Sequence, residues 1–293
     1  MPPDNADDAR HTGVRHLEVS PEEDGQKLLQ FLSRRLGPDV PGSLLLRLIR
    51  SGQVRVDSAR KKPFDRLHAG QTVRLPPLRV AAPAPEPGPG APALAVLAQG
   101  PGWIAVAKPA GLPSQPGTGH ADAASTRLAA MFPQATFTPT PAHRLDRDTS
   151  GILLAGTSYQ GLRALQQALA AHTLRKLYLA RVHGGLAPGQ ALTLRDTLAK
   201  AGPENRRRVA VTAQGKPALA LARCLESDSR TSLLEIDLRT GRTHQLRVQL
   251  ASRSLPIVGD RKYGRPDDAP RMMLHAWQIV LPDGTSIRLE PDW

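Results

Sequence analysis

The feature that most constrains this chain is the run VAAPAPEPGPGAPA at residues 80–93, with five prolines, two glycines, one acid and no basic residue. Proline fixes φ near about −65° and removes a backbone donor. At this density it gives an extended, semi-rigid spacer without helix or sheet. No single hydrophobic core can run through it. It therefore divides the 293 residues into a compact domain over 15–79 and a larger one over 94–293, preceded by a tail, 1–14, expected to be disordered.

In the first domain, DGQKLLQFLSRRL (24–36) brings Leu28, Leu29, Phe31, Leu32 and Leu36 largely to one helical face. SLLLRLIRSGQ (43–53) repeats the helical pattern, with Ser43 as N-cap and Gly52 as stop. VRVD and AGQTVRLPP read as short strands, the second after a glycine turn. Between Ser43 and Arg79, nine Lys and Arg stand against Asp57 and Asp65, a net +7 in 37 residues. That is over half of the +13 carried by the whole chain. Such an excess favours a polyanionic partner.

The chain has three Trp, three Tyr and four Phe, too few for a sheet that stacks successive bases, so nucleic-acid contacts fall to arginine and backbone. Its one cysteine excludes an intrachain disulfide and argues against a cysteine-based zinc cage. No run approaches the apolar length of a membrane span, and MPPDNADDARHTG lacks the apolar core of a signal peptide. A cytoplasmic monomer is expected.

The larger domain alternates strand-like and helical stretches. WIAVAKP (103–109) is a strand closed by proline, and GILLAG (151–156) is a buried strand by its continuous apolar run. YQGLRALQQALAAHT (159–173) is an amphipathic helix with Leu162, Leu165, Ala168 and Leu169 inward. RKLYLARVHG, TSLLEIDLRTG and AWQIVLPDGTSIRLE supply further strands, the last with a hairpin turn at Asp283-Gly284. THQLRVQLAS reads as strand or, in part, helix. The order lacks regular βαβ repetition. It predicts an α+β fold: a central mixed or antiparallel sheet flanked by helices, with a small N-terminal α/β domain.

HRLDRDTSGILLAG (143–156) holds two aspartates that suggest different chemistry. Asp148 begins D-T-S-G, which resembles the active-site turn of an aspartic protease. That mechanism needs two carboxylates sharing one proton. Here the turn occurs once, after the polar run AHRLDR rather than an apolar strand. Ser150 with His143 or His244 offers the residue types of a triad, but nothing resembles a nucleophile elbow. Asp148, Thr149 and Ser150 are expected to shape the turn, and His275 to lie in the core.

HRLDRDTSGILL, KPAGLPSQPG, RKLYLARVHG and LRTGRTHQLRVQLA occur in an order and spacing that resemble the RluA-type pseudouridine synthases, over about residues 15–290. The helix, helix, S-G-x-V-x-V and G-x-x-V-x-L order of the first domain resembles the S4 RNA-binding domain. Within the family the likeness is to S4-bearing bacterial enzymes acting on large-subunit (23S) ribosomal RNA. The resemblance implies a cofactor-free, metal-free isomerase with Asp146 as the catalytic aspartate and Arg247 as its paired basic residue. Tyr178 packs on the target base, Leu246 forms an apolar wall, and Arg144 fills the space left by a flipped nucleotide. Arg47, Arg50, Arg55, Lys61 and Lys62 contact phosphates, and Lys108 touches RNA or caps the site. The chain departs from many relatives at Gln115, near which they carry a histidine. ENRRRVAV (204–211) reads as a basic loop facing RNA backbone.

The chemistry agrees with Asp146. Pseudouridine formation breaks the bond from ribose C1′ to N1 and rejoins the ring through C5, with no redox change and no group donor. It needs a carboxylate beside C1′, as nucleophile or base, and a pocket that retains the detached uracil. Flipping is cheapest where bases are already unstacked, so a structured RNA loop is the expected substrate. The alternatives are transfer RNA as substrate, a non-catalytic RNA-binding or ribosome-assembly protein, and an aspartate-dependent hydrolase.

Overall fold

The computed structural model describes residues 13–37, 40–78, 91–116, 122–202 and 208–293. Nearly all of the expected tail, most of the proline-rich spacer, residues 117–121 and residues 203–207 lie outside the described residues; the rest of the run expected as a basic loop, Arg208–Val211, is instead a strand paired with residues 198–201.

The first unit comprises β1 (Arg15–Glu18), α1 (Leu28–Leu36), α2 (Gly42–Arg50), β2 (Arg55–Val56) and β3 (Thr72–Leu75). Its three strands form an antiparallel sheet in the order β1-β3-β2. Leu28, Phe31 and Leu32 of α1 meet Leu45 and Ile49 of α2 and Val73 and Leu75 of β3 in a core of their own. Two expected boundaries shift. Lys27 is extended, so α1 starts at Leu28. Ser43 is not the cap of α2: that position belongs to Pro41, whose ring fixes the turn and leaves Ser43 inside the helix. Gly52, at φ +75°, follows α2 in the left-handed conformation that a helix stop uses.

The second unit is built on an eleven-stranded sheet. Its strands are β4 (Val96–Gly100), β5 (Trp103–Lys108), β6 (Thr140–Pro141), β7 (Ser150–Gly156), β8 (Arg175–His183), β9 (Ala191–Ala201), β10 (Arg208–Val211), β11 (Lys216–Ser227), β12 (Thr231–Leu238), β13 (Leu274–Val280) and β14 (Ser286–Arg288). The path runs β10-β9-β11-β12-β8-β13-β7-β5-β4, with β14 on β13 and β6 on β7. β13 and β7 run parallel and the other described pairs antiparallel, so the sheet is mixed and the fold α+β. The helices are α3 (Ala124–Met131), α4 (Tyr159–Ala170) and α5 (Gln245–Ala251).

Alternation along β7 explains its unbroken apolar run. Ile152 and Leu154 pack with Leu165 of α4, whereas Leu153 and Ala155 join the cluster that contains Leu246 and Leu250 of α5. A strand covered on both faces has no solvated side to make polar. Gly151, at φ +118°, is required where β7 meets β13, because a Cβ there would overlap the carbonyl of Ala276.

The two units touch. Arg34 Nη1 donates to Thr140 Oγ1 at 2.7 Å, and its guanidinium lies 4.3 Å from the Phe137 ring centre. Gln160 Nε2 donates to Asp24 O at 3.0 Å, and Thr136 Oγ1 donates to Glu22 Oε2 at 3.0 Å.

Candidate active site

The segment between β6 and β7 carries both aspartates, and its backbone is clamped on each side of Asp146. Upstream, Ser114 Oγ donates to Leu145 O at 2.8 Å and accepts the Leu145 N–H at 2.9 Å. His143 Nε2 accepts the Leu154 N–H at 3.1 Å. Downstream, Lys108 Nζ donates to Arg147 O at 3.0 Å, and the Thr149 N–H closes a turn onto Asp146 O at 3.1 Å.

This turn separates the aspartates. Asp146, 17% exposed, faces a cavity of about 440 Å³. Asp148 is turned outward onto Arg147, 2.9 Å from its Nε, and does not line that cavity. Tyr178 of β8 and Leu274 of β13 line the cavity, with Leu246 and Arg247 of α5. Arg144 lies at the exposed rim, its guanidinium without a partner among the described residues. The five residues expected at the base, Asp146, Tyr178, Arg247, Arg144 and Leu246, therefore meet at one place.

Arg247 serves two carboxylates unequally. Its Nε and Nη2 donate to Asp260 Oδ2 and Oδ1 at 2.8 and 2.6 Å, whereas Nη1 stands 3.7 Å from Asp146 Oδ2. Asp260 Oδ1 also accepts the amides of Lys262 and Tyr263 at 2.8 and 3.0 Å. Burial alone would raise the Asp260 carboxyl, but the Arg247 bonds and charge with these amides outweigh it and hold it below the ordinary range. Asp260 thus anchors the guanidinium. Asp146 gains its charge without the bidentate grip, and its oxygens stay available to a ligand.

The remaining walls are tuned by burial. Tyr178 is buried, and desolvation together with the nearby Asp146 charge pushes its phenol up, so it is neutral at physiological pH. Lys176, also on the wall, is lowered by burial against the pull of Asp237. His244 precedes α5 at φ +52°, a left-handed conformation uncommon outside glycine. Its Nδ1 lies 2.8 Å from Tyr263 Oη, and that oxygen accepts the Val209 N–H at 3.1 Å. The imidazole tautomer sets the direction of the Nδ1–Oη bond. Burial lowers the imidazole, keeping it neutral.

One expectation needs correction, and the triad already set aside is absent among the described residues. Lys108 does not face a ligand: it is 1% exposed, and its ammonium donates to Pro109 O, Leu112 O and Arg147 O at 2.8, 2.7 and 3.0 Å. All three donors are used on backbone, so it is a clamp. Ser150 pairs with neither His143 nor His244 but with His275 Nδ1 at 2.8 Å, and His275 Nε2 bonds Leu289 O. This buried pair has no carboxylate partner, so it is not a triad.

Arg47, Arg50 and Lys62 are exposed and Arg55 and Lys61 half-buried on the first unit, and none lines the cavity. None of the five pairs with a carboxylate among the described residues. Sequence reasoning missed Asp260, Tyr263 and Ser114. The signal for the first two is V-G-D-R-K-Y-G, where Gly259 at φ +76° marks a turn that presents the aspartate. Among the described residues no group of three or more His, Cys, Asp or Glu is gathered as a metal site requires.

A family model described as RNA pseudouridylate synthase matches residues 102–252, a span that includes Asp146, Tyr178 and Arg247. The chain is 36% identical over 287 residues to the ribosomal large subunit pseudouridine synthase C of Haemophilus influenzae, covering 92% of this chain and 87% of that one. It is 34% identical over 261 residues to the protein of the same name in Escherichia coli, covering 86% and 80%. Among solved structures, human RNA Pseudouridylate Synthase Domain Containing 1 aligns with a TM-score of 0.57 at 26% identity, over 68% of this chain and 83% of that one. With matches of this extent in sequence and fold, the chain belongs to the RNA pseudouridylate synthase family.

Proposed function

We propose that this protein isomerises specific uridines to pseudouridine in large-subunit ribosomal RNA, with Asp146 as the essential carboxylate. The observation that carries the reading is the unequal sharing of Arg247, which leaves the Asp146 carboxyl ungripped beside an open cavity while Asp260 supplies the structural pairing. A flipped uridine enters with its base on the Tyr178 ring and against Leu246, and Arg144 takes the place the base vacates. Asp146 then acts on the sugar, as nucleophile at C1′ or base at C2′, while the C1′–N1 bond breaks, the C1′–C5 bond forms, C5 loses its proton and N1 gains one. Contacts with Tyr178 and Leu246 hold the detached uracil in the cavity. The reaction neither gains nor loses electrons or groups, so its balance requires no cofactor. Tyr178, neutral at physiological pH, serves as a stacking surface.

The substrate class follows from the named relatives and from charge. Residues 15–79 act as an S4-type RNA-binding domain, joined through the 80–93 spacer to the catalytic domain, 94–293. Arg47, Arg50, Arg55, Lys61 and Lys62 contact phosphates there. Arg55 stands directly opposite Arg74 in the β2–β3 register; like charges so placed repel unless an anion lies over them. A ribosomal RNA substrate implies a cytoplasmic enzyme.

The test is to treat unmodified 23S ribosomal RNA and transfer RNA separately with the protein, then label with carbodiimide and reverse transcribe. New stops in the ribosomal RNA are expected. Stops confined to transfer RNA would overturn the substrate assignment. Binding with no stops in either would favour a non-catalytic binder, and free uracil in the supernatant would indicate a hydrolase.

A further inference from the structure

Beyond the wall formed by His244 and Arg247 lies a second depression of about 510 Å³. Five cations line it, Arg147, Arg208, Arg247, Arg261 and Lys262, against one carboxylate, Asp148. Two of the five are already answered: Arg147 by Asp148 at 2.9 Å, and Arg247 by Asp260. The other three are held mainly by neutral groups. Arg208 Nη1 donates to the Lys262 carbonyl at 2.9 Å. Arg261 donates to the carbonyls of Asp267 and Ala269 at 2.9 and 2.7 Å. The Asp267 carboxylate is 3.9 Å from Arg261 and is engaged more closely, at 2.8 Å, by His183 and by the Gly259 N–H. Lys262 has no carboxylate partner among the described residues; its Nζ lies 5.7 Å from the Tyr263 ring centre.

Two arginines held on backbone carbonyls and a lysine near a ring, with only the distant Asp267 carboxylate as further counter-charge among the described residues, repel one another across a shared hollow. An anion placed there removes that cost and accepts charge-assisted hydrogen bonds. The hollow shares His244 and Arg247 with the uridine cavity, so a nucleotide flipped into the cavity leaves its neighbouring backbone at this rim. His244 sits on the shared wall, its Nε2 without a hydrogen-bond partner among the described residues.

We propose that Arg208, Arg261 and Lys262 form a phosphate subsite that grips the RNA backbone next to the target uridine, with His244 on the wall it shares with the uridine cavity. This rests on the reading of the larger cavity as the uridine site. The subsite also explains why β10 is tied to the 260–263 turn twice, through Arg208 to Lys262 O and through the Val209 N–H to Tyr263 Oη. The three cations touch no reacting atom, so they serve affinity rather than the chemical step.

The experiment uses the full chain, unmodified large-subunit ribosomal RNA, and the variants Lys262→Gln, Arg208→Gln/Lys262→Gln and Arg223→Gln. Lys262→Gln removes a charge while keeping the carbonyl that holds Arg208. Arg223 is exposed on the face of β11 opposite its buried alanines and serves as the remote charge control. The RNA Kd is measured from about 50 to about 200 mM salt, the range over which phosphate contacts are read. Two lost contacts should flatten the logarithmic salt slope by about 1.4, so the fourfold salt increase weakens wild type about sevenfold more than the double variant. Single-turnover pseudouridine formation at saturating RNA should stay within about twofold of wild type, as for loss of uniform binding. If both Lys262→Gln and the double variant share the Kd and slope of Arg223→Gln, the subsite is refuted while the uridine reading stands. If wild type forms no pseudouridine in this RNA, the uridine reading itself fails and the subsite falls with it.

Discussion

Replacing Asp260 with asparagine should separate the two carboxylates that share Arg247. Both partners of the Asp260–Arg247 pair are buried and joined by two short bonds, so removing one charge strands the other. Breaking such a pair costs about 3–5 kcal/mol. Asparagine keeps one carbonyl oxygen for Arg247 or for the amides of Lys262 and Tyr263, which places the loss near the lower bound, about 3 kcal/mol. Asp146→Asn is the contrast. Its contact to Arg247 is 3.7 Å, beyond hydrogen-bond length, and its loss should cost about 1 kcal/mol or less. Urea unfolding followed by tryptophan fluorescence measures both, because Trp103, Trp277 and Trp293 all belong to the larger unit. In Asp260→Asn, Arg247 loses its bidentate anchor and swings towards Asp146, so kcat should fall while RNA affinity holds. Equal stability losses in the two variants would show that Asp146 is also a structural partner, and the division of labour argued here would be wrong.

Three further outcomes are expected. Lys108→Met orphans three backbone carbonyls and should cost roughly 3 kcal/mol, lowering kcat with RNA Kd unchanged; a shallower salt slope of binding would instead reveal a phosphate contact. His143 is held down to about 3 by burial and by the Lys176 charge. The unfolded chain binds this proton as pH falls through about 6.5 and the folded chain only near about 3, so stability is lost across that window on acidification. His143→Gln should flatten the urea midpoint between about pH 6.5 and about pH 5, where most carboxylates remain ionised, and a slope equal to wild type would rule this out. Tyr178→Phe should bind RNA as wild type does, whereas Tyr178→Ala should lose about 1–3 kcal/mol of stacking; equal losses would assign the contact to the hydroxyl rather than the ring.

How much could be read in advance depended on whether the relevant contact was local in the chain. β7 announced itself because both of its faces are covered, and α4 because one face is. α5 was ambiguous for a physical reason: Gln245 to Leu250 are all buried, so no polar face marks a helical period. The long strands β9 and β11 went unremarked, since KPALALARCLES alternates mostly alanine and leucine, residues with greater helix than strand preference. At the site, the motifs brought Asp146, Tyr178, Arg247, Leu246 and Arg144 together because their order carries a family resemblance. Lys108 misled, because nothing in AKPAG reveals that three carbonyls from two loops converge on its ammonium. Asp260 was overlooked for a related reason: V-G-D-R-K-Y-G marks a turn that presents an aspartate, but nothing in it names the partner on α5.

The most direct test of the central claim compares wild type, Asp146→Asn and Asp148→Asn in single-turnover pseudouridine formation on unmodified large-subunit ribosomal RNA, with RNA binding measured in parallel. Asp148 lies outside the cavity on Arg147, so Asp148→Asn should modify the same uridines as wild type. Asp146→Asn should bind the RNA and modify none. Pseudouridine formed by Asp146→Asn at the wild-type rate would contradict the account.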